Sequence, residues 1–182
     1  MNKYFSIYLY GSIILLVGVF LLFSMNFAFM EIKWVMGISL TVGSLFAFIA
    51  AFYSQNKQVQ FTYHEIHAIT MMIYGISVLL YCNQPENLIF ITTFLFFFYT
   101  FSEIIFCNWL FNLKQEVVFK ILIVRVLLAL LIGIGTVFAI NNEVLAKEIF
   151  GILFILVGIN IILYVPIMKA RQSLETSQAI IV

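Results

Sequence analysis

The chain has 182 residues, 64% of them hydrophobic and only 9% charged, with no Asp and a formal net charge of +1. A soluble domain of this length could not bury so much apolar surface, so lipid must solvate much of it. The near-neutral balance, with no Lys/Arg block or basic stripe, excludes a nucleic-acid partner.

Apolar runs of about 20 residues fit membrane-spanning helices rather than the alternating ~10-residue strands of a barrel. Six spans are predicted, at 5–26, 34–54, 63–82, 87–108, 117–140 and 144–168. Each is long enough for a hydrocarbon core of ~30 Å. The first follows Lys3; its run is too long for a signal-peptide core and no small-x-small cleavage site follows, so a retained helix is expected. It carries Gly11 and Gly18 on one face and ends at Asn26. The second presents Ser39, Gly43, Ala47 and Ala51 at spacing four. A polar joint, Ser54–Thr62, follows.

The third span opens on His64–Glu65–Ile66–His67. Two His at spacing three share a helical face, but the pattern is not the His-Glu-x-x-His of zinc peptidases and no further ligand accompanies it. An interfacial helix start is the better reading, and no metal or other cofactor is expected. His67 still titrates near physiological pH by residue type. The span continues through Ala68 and Gly75 to Asn83 and Pro85.

The fourth span holds Thr93 and Thr100, and Phe96–Tyr99 are expected against lipid and neighbouring helices. Within it lies Glu103, a carboxylate at a depth where charge is expensive. Such a group must be protonated, paired or facing a wet cavity, and is the foremost proton-responsive candidate. After the joint Phe111–Glu116, the fifth span carries Arg125 and Gly133 and ends at Asn141. Arg125 is expected to snorkel to the nearer headgroups. The sixth carries Gly151, Gly158 and Asn160, the last a candidate for a bond across helices. A polar tail occupies 169–182.

The spans repeat. Gly18, Gly75 and Gly133 lie 57 and 58 residues apart, and each is followed eight residues on by Asn26, Asn83 or Asn141. Gly43, Thr100 and Gly158 form a second small-residue column at the same offsets. The fold class is therefore an all-α integral membrane domain over 1–182, with repeats at 5–54, 63–110 and 117–168. An even number of crossings per unit makes the copies parallel, which implies a pseudo-threefold bundle of six helices. The small columns let helices approach closely in lipid, and the Asn column caps the hairpin tips. Tyr10, His67 and Arg125 occupy one repeat column and, with Glu103 at similar depth, are candidates to meet near the axis.

Lys3, Lys57, Lys114, Lys120, Lys169 and Arg171 gather on one side, against Lys33 and Lys147 on the other. By the positive-inside rule both termini are cytoplasmic. Cys82 and Cys107 fall at opposite helix ends, so no internal disulfide is expected.

Tandem hairpins with a mid-helix Gly, a turn eight residues on and a small-residue second helix resemble the short-repeat bacterial membrane family that includes the acid-resistance protein HdeD. The resemblance spans about residues 5–168; of the tip prolines common in that family, only Pro85 is present. It implies a bacterial inner-membrane protein tied to acid stress and supplies no catalytic residues. Without a Ser/His/Asp set, a phosphate-cradling loop or CxxC, an enzyme is not expected. Two other readings stand beside the stress protein: a small transporter or channel with a polar path near Glu103, His67 and Arg125, and a scaffold. The bilayer is the expected partner, and a homo-oligomer or membrane-protein partner is left open.

Overall fold

The computed structural model describes residues 3–24, 27–53, 63–111 and 116–169, and no strand occurs among them. Helix α1 spans Lys3–Phe23, α2 Phe29–Tyr53, α3 Tyr63–Tyr81, α4 Pro85–Phe111, α5 Glu116–Asn141 and α6 Ala146–Ile162, the last preceded by a 3-10 turn at Glu143–Leu145. Five of these helices are long and apolar enough to cross a membrane. In α3 the described apolar stretch is Ile66–Tyr81. These are the helices of a multi-pass membrane protein.

Local chemistry sets the helix ends. α2 begins at Phe29 rather than near residue 34, because Glu31 turns back to accept the Ala28 N–H at 3.0 Å, half of a capping box. Pro85 opens α4, where its fixed φ suits the first helical position and its missing N–H costs nothing. At the far end of α6 the chain turns at Leu163 and then resumes as helix over 164–169. Pro166 lacks the N–H that would otherwise bond to the Ile162 carbonyl, which interrupts the ladder there. Two buried hydroxyls are satisfied within their own helices: Ser44 donates to the Thr41 carbonyl and Thr136 to that of Ile132, both at 2.7 Å.

The helices form a closed ring in chain order: each packs on the next, and α6 returns to α1. Glycines make the closest seams. A Cβ on Gly18 would lie 2.5 Å from the Gly151 carbonyl oxygen, and one on Gly158 would lie 2.7 Å from that of Gly11. α1 and α6 are therefore antiparallel and in backbone contact. Gly75 of α3 meets α2 in the same way, with a Cβ falling 2.9 Å from Thr41 N and 3.0 Å from Gly37 O. In lipid such contact supplies the van der Waals attraction that hydrophobicity cannot.

The interior is filled by Ile14, Met36, Leu40, Met71, Phe96 and Phe154, all essentially inaccessible. The outside is the reverse. Phe90, Phe94 and Phe101 of α4 and Leu127, Leu131 and Ile134 of α5 are exposed, forming the apolar belt that a bilayer solvates. Phe96 and Tyr99 turn into the core while Phe97 and Phe98 turn out, as helical spacing requires.

Candidate functional site

The polar side chains of the interior are stacked in layers. Helix α4 builds the stack: Thr92, Tyr99, Glu103 and Cys107 recur at helical spacing along its buried face.

Nearest the end of the bundle where Tyr4 and Lys169 meet, Glu103 faces Arg125 of α5. Both side chains are wholly buried. Arg125 Nε donates to Glu103 Oε1 at 2.7 Å, and Nη2 lies 2.7 Å from the same oxygen. Cys107 Sγ, one turn along α4, donates to that oxygen too, at 3.4 Å. The second carboxylate oxygen, Oε2, is buried without a hydrogen-bond partner among the described residues. The guanidinium lies over two rings, 5.5 Å from the Phe106 centroid and 5.1 Å from that of Tyr164. These aromatic faces favour the cation and displace solvent from it. Arg125 thus does not snorkel as its sequence position suggested. Reaching the headgroups would forfeit a carboxylate already paid for by burial on the neighbouring helix.

One helical turn further in lies the second layer. Tyr10 Oη of α1 and His67 Nδ1 of α3 are 2.8 Å apart. The His67 ring stands edge-on to Tyr99 of α4, with centroids 4.9 Å apart. Tyr99 Oη accepts a bond from Asn160 Nδ2 of α6 at 2.7 Å. Four helices therefore contribute to one buried cluster. Tyr99 and Glu103 are four residues apart on α4, so the two layers are separated by about 6 Å along the bundle.

Toward the hairpin tips, Tyr74 Oη of α3 and Thr92 Oγ1 of α4 are 2.8 Å apart. At the tips, Lys33 is only 4% exposed and donates to Asn83 Oδ1 at 3.3 Å. Burial pushes the neighbouring Cys82 thiol above its ordinary value, against the pull of the Lys33 ammonium.

Of the residues singled out from sequence, Glu103 and Arg125 are brought together, and His67 joins Tyr10 instead of Arg125. Asn83 holds Lys33, while Asn141 donates to the Val137 carbonyl at 2.9 Å, closing the end of α5. Asn26 lies outside the described residues. Gly18, Gly75 and Gly158 oppose backbone across seams, whereas Gly43 opposes Ile13 and Gly133 opposes the Thr100 methyl, each at 3.1 Å from a built Cβ. Tyr99 and Tyr164 were not singled out as polar partners. The signal was available, since each stands one turn from a buried polar residue on its own helix. Among the described residues no group of three or more His, Cys, Asp or Glu is placed to hold a metal. No family model, curated protein or solved structure matches the chain.

Proposed function

We propose that this chain is a non-enzymatic protein of the bacterial inner membrane that supports survival under acid stress. In this reading, protonation of its buried interior loosens the packing of the bundle. The observation that carries it is the Glu103–Arg125 pair, wholly buried at 2.7 Å. Protonating Glu103 removes the counter-charge of a wholly buried guanidinium. Leaving one member of a buried pair uncompensated costs about 3–5 kcal/mol. That is large enough to alter how α4, α5 and the end of α6 pack, because Arg125 is also held by the ring of Tyr164, just past α6. Among the described residues, the groups bonded to the carboxylate are Arg125 from α5 and Cys107 from its own helix.

The repeat reading belongs to the same proposal: three parallel hairpins about a pseudo-threefold axis, with both termini cytoplasmic. It is supported by the recurrent seam, in which the first helix of each hairpin sets a glycine against the second helix of the preceding one. The three instances are Gly18 on Gly151, Gly75 on Gly37 and Gly133 on Thr100.

The test is acid-challenge survival of a deletion strain complemented with wild type or Glu103→Gln. Loss on deletion, restored by wild type alone, is the expected outcome. Full rescue by Glu103→Gln would reduce the pair to structure, and no acid phenotype on deletion would remove the stress role. A second reading, a proton-conducting path, is favoured by the succession of polar layers from Lys33 through Tyr74, Tyr99 and Glu103. Proton flux into liposomes holding the pure protein, abolished in Glu103→Gln, would select it over the first.

A further inference from the structure

Two buried acceptors of the two inner layers remain unused among the described residues. Asn160 gives its Nδ2 to Tyr99, and its Oδ1 has no hydrogen-bond partner among the described residues. Glu103 spends Oε1 on Arg125 and Cys107, and its Oε2 is likewise unpartnered. Both residues are wholly buried. Leaving a buried acceptor unmet costs about 1–3 kcal/mol, so two such atoms in one interior call for a shared donor. They are close in register. Asn160 is bonded to Tyr99, and Glu103 is the next residue on that face of α4. Tyr164, just past α6, lies under the guanidinium that Glu103 binds.

Charge decides what the donor is. Glu103 and Arg125 carry opposite charges, so a cation placed at Oε2 would lie against the guanidinium. A neutral molecule with two hydrogens matches two acceptors without adding charge. We propose that a single water molecule binds between Asn160 Oδ1 and Glu103 Oε2 and joins the two polar layers. The physiological use of this site rests on the acid-responsive reading above. A proton arriving on Oε2 turns that oxygen from acceptor to donor. The water must then accept from Glu103 instead of donating to it, and it turns about its remaining bond to Asn160. Tyr99, bonded to Asn160, and through its ring His67 and Tyr10, thereby sense the state of Glu103.

The experiment is infrared difference spectroscopy of the full chain in liposomes, neutral minus acidic, in ordinary water and in water labelled with oxygen-18. Wild type should show an O–H stretching band that shifts with the isotope. Asn160→Leu should lose that band, while Asn141→Ala, changed at a hairpin tip, should keep it. Absence of an isotope-sensitive band from wild type overturns the proposal, even if Asn160→Leu does not fold. So does an unchanged band in a folded Asn160→Leu protein. Thermal midpoints in sodium and in choline chloride should coincide; a sodium-dependent rise lost in Asn160→Leu would assign the site to a cation and overturn the water. A band that behaves as expected in a protein whose deletion has no acid phenotype supports the water site and removes only the stress role.

Discussion

At the scale of single residues, the buried ion pair is the element whose energetics matter most. Its two members do not contribute alike when removed singly or together. Glu103→Gln leaves a buried guanidinium, and an expected loss of about 3–5 kcal/mol should lower the thermal midpoint in detergent sharply. The double variant Glu103→Leu with Arg125→Leu removes both charges and should recover most of that loss, since apolar replacements of buried pairs are often neutral. A double variant no better than the single would show that the pair acts through something other than charge compensation. The cysteines are predicted to be inert. Both Cys82 and Cys107 are buried, so maleimide should label neither in native membranes and both after denaturation. For Cys82, whose value is raised in the fold, the neutral thiol is the favoured form. Its contribution to stability is full below the ordinary thiol value and is lost as pH rises through the raised one. The midpoint of wild type should therefore fall more than that of Cys82→Ala between about pH 8 and about pH 10.

At the scale of helices, the glycines separate into two classes that sequence alone placed in one. Gly18, Gly75 and Gly158 oppose main chain, which cannot rotate away. Alanine at these positions should cost about 1–3 kcal/mol through enforced separation of the helices. Gly43 and Gly133 oppose side-chain methyls at 3.1 Å, where a few tenths of an ångström of adjustment suffices. Alanine there should cost less than half as much, as measured by thermal melts of the five single variants. Equal losses across the set would show that the seams are softer than their geometry. The sequence marked these columns because small residues repeat at fixed offsets. It could not tell which neighbour each would meet, since that depends on how the helices are arranged about the ring. The same limit applied to the site. Depth in a span identified Glu103 as costly and placed Arg125 at a similar level, but rotation about the helix axis decides whether a cation pairs or snorkels. Lys33 shows the converse. Its charge marked the end of a predicted span, yet it lies inside α2 and is buried against Asn83.

For the whole molecule, the six-span reading puts Lys3 and Lys169 on one side of the membrane. Reporter fusions after residues 24 to 28 and after 142 should report the side opposite to a fusion at the C-terminus, and the positive-inside rule makes the C-terminal side cytoplasmic. Opposite results at the two tips would mean that α3 does not cross. The ring also has an order in time. Its closest seam joins α1 and α6, the earliest and the latest made of these six helices. Throughout synthesis the groove at Gly11 and Gly18 waits in lipid for a partner that has not yet left the ribosome. A chain stopped before residue 146 would keep that groove permanently open, which makes it a natural mark of incompleteness for the proteases that clear unfinished membrane proteins.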